Sequence, residues 1–408
     1  MNNILNSTKL LFFTYFLSWG AFSPYISRYM SKTGLNGAEI GFLQGLTALL
    51  AFLMPPLWGF LADAKQWKKK MLLLSLYGMA LGLILYYFSY SFVPLLIATI
   101  FYASANGPVI PLLDSIALEA AASSGSNYGQ IRLYGSLGYA FLASLMPYIY
   151  NSSQNPGSIF PMALIFIILT IVLVTKLPES AVSTSFLQHN SYANMRFGFL
   201  TLFKNPAFCG LMLVAFLNRI AVVPYYNFFA LYLEGLKANT FIVGYTWMVA
   251  ILGEVVVLYN AEKLMAHLGE RKLLILALLI SALRWFIYAN IRAPWLIFSL
   301  QWLHGFTFAA MHAVTVKLVN KIAPEGMQVS AQSVYAAVNL GLGGFIGSLL
   351  MGYLFDYFGG ANTIVKTVSS LFIVSALLSL VALAIGLFGV KLVAKTAASK
   401  RASKEAAV

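Results

Sequence analysis

Charge is what this 408-residue sequence has least of: 9% of its side chains are Asp, Glu, Lys or Arg, against about 25% in an ordinary water-soluble domain. A chain this short of charge does not read as a soluble enzyme, a disordered tail or a secreted module. Cysteine is nearly missing too; the single Cys209 cannot form an internal disulfide, so helix packing has to supply the stability. No Gly-x-x-x-x-Gly-Lys phosphate loop, no Cys/His metal-ligand spacing and no nucleophile elbow occur, which argues against an ATP-driven pump, a metalloenzyme and any bound cofactor or metal. The 12 acidic residues are outnumbered by 26 basic ones, giving a net charge of +14. Those bases stand in short clusters between apolar runs instead of on one face, so nucleic acid is not the expected partner.

What the sequence has in abundance is apolar side chains, 60% of the total, with a mean hydropathy of +0.80. They predict an all-α polytopic membrane protein with twelve transmembrane helices, over 9–30, 38–62, 71–90, 92–118, 130–150, 159–177, 206–233, 241–260, 273–291, 295–320, 331–355 and 364–390. The first span is too long for a cleaved signal, carries Trp19 and Pro24 and lacks a small-residue cleavage site. An even number of spans puts both termini on one side. Placing them in the cytoplasm puts 19 of the 26 basic residues inside and leaves Arg28, Lys32, Lys237, Arg292 and Lys366 outside. The expected location is therefore the plasma (inner) membrane, with the lipid bilayer as partner and a monomer as working unit.

A polar interruption over 178–205, holding Pro178, Glu179, a Ser/Thr cluster and a solvated His189, divides the chain. It separates an N-terminal six-helix bundle (1–177) from a C-terminal one (206–390), followed by a basic cytoplasmic tail (391–408). The halves echo one another at an offset of about 200 residues, the sign of a duplicated, pseudo-symmetric unit. Pro24-Tyr25 returns as Pro224-Tyr225, Lys69-Lys70-Met71 as Arg271-Lys272-Leu273, and Gln130 as Gln332.

Between the second and third spans lies Gly59-Phe60-Leu61-Ala62-Asp63-Ala64-Lys65-Gln66-Trp67-Lys68-Lys69-Lys70. Gly59 permits close helix approach, Asp63 at a helix end can accept hydrogen bonds from a neighbouring helix N-terminus, and Lys68 and Lys69 hold the loop at the membrane surface. This is a candidate conformational latch. The motif resembles the loop-two-three signature of the major facilitator superfamily, as do twelve spans in two sixes. Met265 stands where a second copy would have its aspartate, which implies an asymmetric latch. Pro111-Leu112-Leu113-Asp114, the stretch Tyr128 to Gly138, and Leu303-His304-Gly305-Phe306 with His312 resemble the phenylpropionate permease group. More distantly they resemble lactose permease, and the resemblance implies proton-coupled uptake.

Proton coupling also has a physical argument. An ionisable residue at membrane depth costs about 2.5–3.5 kcal/mol or more and faces the bundle interior with a partner. Six are present: Asp114, Arg219, Glu254, Arg284, His304 and His312. At 100° per residue Gln301, His304, His312 and Thr315 fall within an arc of about 80°, a polar stripe that lines a cavity. Movement of Arg284 or of substrate relative to Glu254 would load or release a proton, so Glu254, Arg284, His304 and His312 are the candidate coupling residues, with a static ion pair as the plainer reading. The lactose permease resemblance implies a carboxylate three residues after His304, where this chain has Thr307.

For substrate, Arg219 is the candidate anion contact because a guanidinium pairs with a carboxylate bidentately; neutralising Glu254 is its other reading. Asp114 and Arg132 form either a clamp across the turn between the fourth and fifth spans or, as the resemblance implies, a substrate grip, with Glu119 competing for Arg132. Trp19, Tyr225, Asn227 and Gln301 complete the set, with helix packing as the plainer reading of the aromatics. The sequence thus points to a secondary transporter working by alternating access, importing a small organic solute with protons. An aromatic or other monocarboxylate is the first expectation and a sugar or nucleoside the second; a lipid-modifying membrane enzyme and a non-transporting receptor are the poorer alternatives.

Overall fold

The computed structural model describes residues 2–65, 67–153, 155–177, 201–324 and 327–405, with side chains left undescribed at 2–3, 60, 62–65 and 388–405. The expected linker at 178–200 with His189, the Asp63 side chain and the side chains of the basic tail therefore lie outside the described residues.

Helices account for the described fold, and no strand occurs among the described residues. In chain order they are α1 (Asn2–Phe22, continued by Ile26–Lys32), α2 (Gly37–Lys65), α3 (Lys68–Tyr87), α4 (Phe92–Asn106, then Val109–Ser124), α5 (Tyr128–Ser153) and α6 (Ile159–Lys176). The second set is α7 (Pro206–Gly235), α8 (Thr240–Tyr259), α9 (Glu270–Asn290), α10 (in pieces from Pro294 to Ile322), α11 (Gln328–Tyr357) and α12 (Ile364–Glu405). Among the described residues nine helical stretches are long and apolar enough to cross a bilayer by length and composition. The three expected spans outside that group, α1, α5 and α10, are helical as well, α10 being divided into pieces and α5 carrying Arg132, Gln130 and several glycines.

The breaks have local causes. Proline offers no amide hydrogen to the preceding turn, and α1 pauses at Ser23-Pro24-Tyr25 while α4 pauses at Gly107-Pro108. The fourth span thus reaches Ser124, beyond the expected end at 118. Its counterpart α10 is also discontinuous: a 3-10 turn over Leu300–Leu303 precedes a π segment over Gly305–Ala310. α11 carries a π segment over Ala337–Leu342. Packing repeats between the sets: α1 lies on α5 and α6 as α7 lies on α11 and α12, and α3 lies on α6 as α9 lies on α12.

The sets meet along two crossings, α2 with α11 and α5 with α8. Small residues let the backbones touch: a Cβ on Gly41 would strike the Ser348 carbonyl oxygen, and one on Gly244 the Ser144 carbonyl oxygen. These contacts lie toward the face opposite the termini, the far face. There Arg28 donates to Glu234 at 2.8 and 3.3 Å, Lys32 reaches the same carboxylate at 3.2 Å, and the Asp356 carboxylate accepts the amides of Gly37 and Ala38 at 2.6 and 2.8 Å. Toward the terminal face the same helix faces part. Leu137 and Leu133, seven and eleven residues before Ser144 and so on its side of α5, are 49% and 41% exposed. Gly59, on the α2 face that carries Gly45, has no described residue within 4 Å of its Cβ position.

Candidate functional site between the two helix sets

Arg284, in the middle of α9, is wholly buried, and none of the hydrogen bonds it makes to described residues is to a carboxylate. Its Nε donates to Tyr288 Oη at 3.2 Å, one terminal nitrogen to Thr307 Oγ1 at 2.8 Å and His304 Nδ1 at 2.9 Å, the other to Gln301 Oε1 at 3.0 Å. Gln301 accepts a further bond from Tyr225 Oη at 3.0 Å. The Tyr225 ring lies 4.6 Å from the guanidinium and the Trp285 ring 4.8 Å, so the charge is also held over aromatic faces.

The expected Arg284–Glu254 contact is indirect. His304 stands between them, its Nε2 lying 2.9 Å from Glu254 Oε1. A guanidinium has no lone pair to offer, so His304 Nδ1 must accept from Arg284. That assignment leaves the imidazole proton on Nε2, donating to the Glu254 carboxyl oxygen. His304 is 2% exposed and the Glu254 side chain 23%, which places the carboxylate at the open end of a chain that runs inward to Arg284.

α10 brings these groups together because it is not a regular α-helix here. Gly305 packs directly on the Gly253 backbone, seating the π segment against the turn that carries Glu254, and π turns of this kind collect at functional sites. Of the expected polar stripe, only part bonds to Arg284. Gln301 and His304 face Arg284, but Thr315 bonds back to Met311 O at 2.7 Å. His312 lies beyond the stacked Phe308 ring, its Nδ1 3.3 Å from Tyr335 Oη. His312 is thus separate from the chain formed by Glu254, His304 and Arg284. Thr307, which the lactose permease resemblance marks as a missing carboxylate, is itself a partner of Arg284.

Arg219 on α7 makes no hydrogen bond or ion pair to any described residue, and its Nε is sealed from solvent without a partner. It does not neutralise Glu254. Its guanidinium lies 5.4 Å from the Tyr226 ring and beside Gly344 of α11, where a Cβ would press on Ala48 of α2, while a Cβ on Gly343 would press on the Arg219 stem. Tyr226 also meets the His304 ring at 6.1 Å, linking Arg219 to the coupling chain. From the first set, Tyr139 comes within electrostatic reach of Tyr226 and Glu254, with Trp19 edge-on to it at 6.3 Å. Sequence reasoning overlooked Tyr139; its spacing of four after Gly135 and one after Gly138, which meet Phe16 and Phe13 of α1, carries the only signal. Asn227 instead bonds Ser348 of α11 at 3.1 Å, a helix-to-helix contact.

In the first set the anticipated clamp does not close directly, and Tyr128 stands between its two members. Asp114 accepts from Tyr128 Oη at 2.8 Å, while Arg132 lies over Phe16 at 4.4 Å and Phe12 at 5.6 Å with no carboxylate within 4.0 Å among the described residues. Glu119 goes to Lys68 at 3.2 Å instead of to Arg132. Lys69 donates to the carbonyls of Thr175 and Leu177 at 3.1 and 2.5 Å. Both lysines of the expected latch therefore tie α3 to other helices of its own set.

Residues 5–365 match the MFS_1 like family. The maltose permease of Geobacillus stearothermophilus is 28% identical over 354 residues, covering 85% of this chain and 86% of that one. A protein of Escherichia coli (strain K12) bearing the name "Probable 3-phenylpropionic acid transporter" is 26% identical over 383 residues, covering 87% and 93%. The crystal structure of nucleoside transporter NupG superimposes with a TM-score of 0.83 at 17% identity, covering 95% of this chain and 99% of that one, a likeness of fold.

Proposed function

The chain belongs to the MFS_1 like family and is a multi-pass membrane transporter of small solutes, not an enzyme; from that premise we propose that it imports a small organic monocarboxylate together with protons. Its two six-helix sets, 1–177 and 206–390, rock about the site as rigid bundles joined by 178–205. It works as a monomer in the plasma (inner) membrane with both termini in the cytoplasm, because that orientation places most of the Lys and Arg inside.

The observation that carries the reading is His304 held between Arg284 and Glu254. A proton arriving at Glu254 removes the negative charge to which His304 donates. The buried Arg284 charge then loses its compensation through the imidazole, and the site as a whole becomes more positive. An anionic solute binds that state more tightly, and by reciprocity the bound anion raises the affinity for the proton. Arg219, a cation at the crossing with no acidic partner among the described residues, is the contact for the carboxylate, with Tyr226, Tyr139 and Trp19 as the walls beside it. Asp114 and Arg132 complete the first-set side of the path.

A sugar or nucleoside is the second reading, favoured by the maltose permease relative and the fold of a nucleoside transporter. Proteoliposomes with an imposed pH gradient separate the two: radiolabelled 3-phenylpropionate, maltose and uridine are offered in turn. Uphill accumulation of 3-phenylpropionate alone is the expected result, and accumulation of maltose or uridine alone replaces the carboxylate reading. With the accumulated solute, Glu254→Gln is expected to keep exchange and to lose uphill uptake at least tenfold; unchanged uphill uptake removes Glu254 from the coupling.

A further inference from the structure

Away from the interface, the outer surface of α2, α3 and α4 holds a groove of about 480 Å³ lined by Trp58, Leu74, Tyr77, Leu81, Phe101 and Ser104. Its shape follows from residue size. Gly78 and Ala105 bring α3 and α4 so close that a Cβ on Gly78 would lie 2.8 Å from that of Ala105, which makes a shallow floor. Large side chains stand on either side, with Leu74, Tyr77, Leu81 and Phe101 about half exposed. The groove lies where α4 is interrupted at Gly107-Pro108 and where α2 carries Pro55-Pro56, and Gly107 rests against Pro55.

Among the described residues, one charge belongs to this face. At 100° per residue Lys70, Leu74, Tyr77, Gly78 and Leu81 form a single stripe of α3, with Lys70 about 10 Å from Tyr77 along the axis toward the terminal face. Lys68 and Lys69 are occupied by Glu119 and by backbone carbonyls. Lys70 is exposed, and its one contact among the described residues is the Trp67 ring, 5.1 Å away. An exposed ammonium at head-group level above an apolar trough at chain depth matches the two parts of a single molecule.

We propose that the groove is a binding site for an anionic phospholipid of the leaflet on the terminal face, one acyl chain lying between Tyr77 and Phe101 and the phosphate paired with Lys70. Trp58 lies in the groove wall and provides the probe. The full chain is reconstituted into nanodiscs of unbrominated phosphatidylcholine and titrated with chain-brominated phosphatidylglycerol or chain-brominated phosphatidylcholine. Quenching of Trp58 is taken as the difference between the natural protein and Trp58→Phe. Half-quenching is expected at about fivefold less phosphatidylglycerol than phosphatidylcholine, the factor one lysine contributes near an anionic head group. Lys70→Gln should erase that preference and Lys70→Arg should keep it. Equal quenching by both lipids, or a preference that survives Lys70→Gln, overturns the proposal. So does protection of Trp58 accompanied by cross-linking of two chains through this face, which would make the occupant a second copy.

Discussion

The two ends of the molecule differ more than its two halves do. At the far face the helix sets touch backbone to backbone at Gly41 and Gly244, and acidic side chains bind across the junction, Glu234 to Arg28 and Lys32, Asp356 to the first amides of α2. At the terminal face the same stripes of α2 and α5 continue without partners among the described residues, through Gly59 and through Leu133 and Leu137. A carrier closed at one end and open at the other has one working conformation on display, and the contrast says what closure requires: a glycine where the helices cross and a charge at the rim.

The glycine crossing should be the most sensitive point. A side chain at position 244 meets the Ser144 carbonyl, an oxygen fixed in a helix that cannot swing aside. Overpacking of this kind costs about 1–3 kcal/mol, and at 1.4 kcal/mol per decade the closed-to-open ratio falls about five- to a hundredfold. Gly244→Val is therefore expected to slow solute exchange by at least tenfold, with Gly244→Ala intermediate. In a Cys209→Ser background, a cysteine placed at Asn151, which bonds Thr240 across the far-face junction, should label faster with an impermeant maleimide when Val occupies position 244. Unchanged labelling would separate the crossing from far-face closure.

Hydropathy and proline chemistry made most of the spans and their ends legible in the sequence, because a bilayer asks the same thing of every helix. The breaks inside α4 and α10 were less so. Gly107-Pro108 is a visible signal in hindsight, but nothing in Gly305–Ala310 announces a π segment, whose cause is the tight seat of Gly305 on Gly253 of another helix. The same limit applies at the site. Glu254, Arg284 and His304 stand out by their cost in lipid, whereas the order in which they connect depends on the winding of α10, as does the stacking of His304, Phe308 and His312 in one column. A single aspartate at a helix end carries no signature of its own: Asp63 drew the latch reading through its motif, while Asp356, which caps the start of α2 across the junction, drew none.

The rim charges should matter less than the glycines. Glu234 is 38% exposed and its ion pair with Arg28 is screened accordingly, so the pair contributes about 1 kcal/mol or less. Glu234→Gln is expected to shift far-face labelling at position 151 about two- to fivefold, with the larger change at low ionic strength, since screening weakens the natural pair in salt. Equal labelling of the two proteins at low and high salt would leave closure to the helix crossings alone.

The smallest effect on stability, and the sharpest test of the contrast, belongs to Gly59. It continues the face on which Gly45 and Ala48 meet α11, yet in this conformation no described residue approaches it. Gly59→Leu should leave thermal stability in detergent within about 0.5 kcal/mol of the natural protein, as expected for a site without neighbours. If the terminal face closes as the far face does, α2 and α11 must come together at this position in the opposite conformation, and the leucine will block them. Exchange should then fall severalfold while stability holds. Full exchange in Gly59→Leu would mean that the terminal ends of α2 and α11 never approach as closely as their far ends. The duplicated halves would then close their two faces by different contacts, glycine crossings at one and longer side chains at the other.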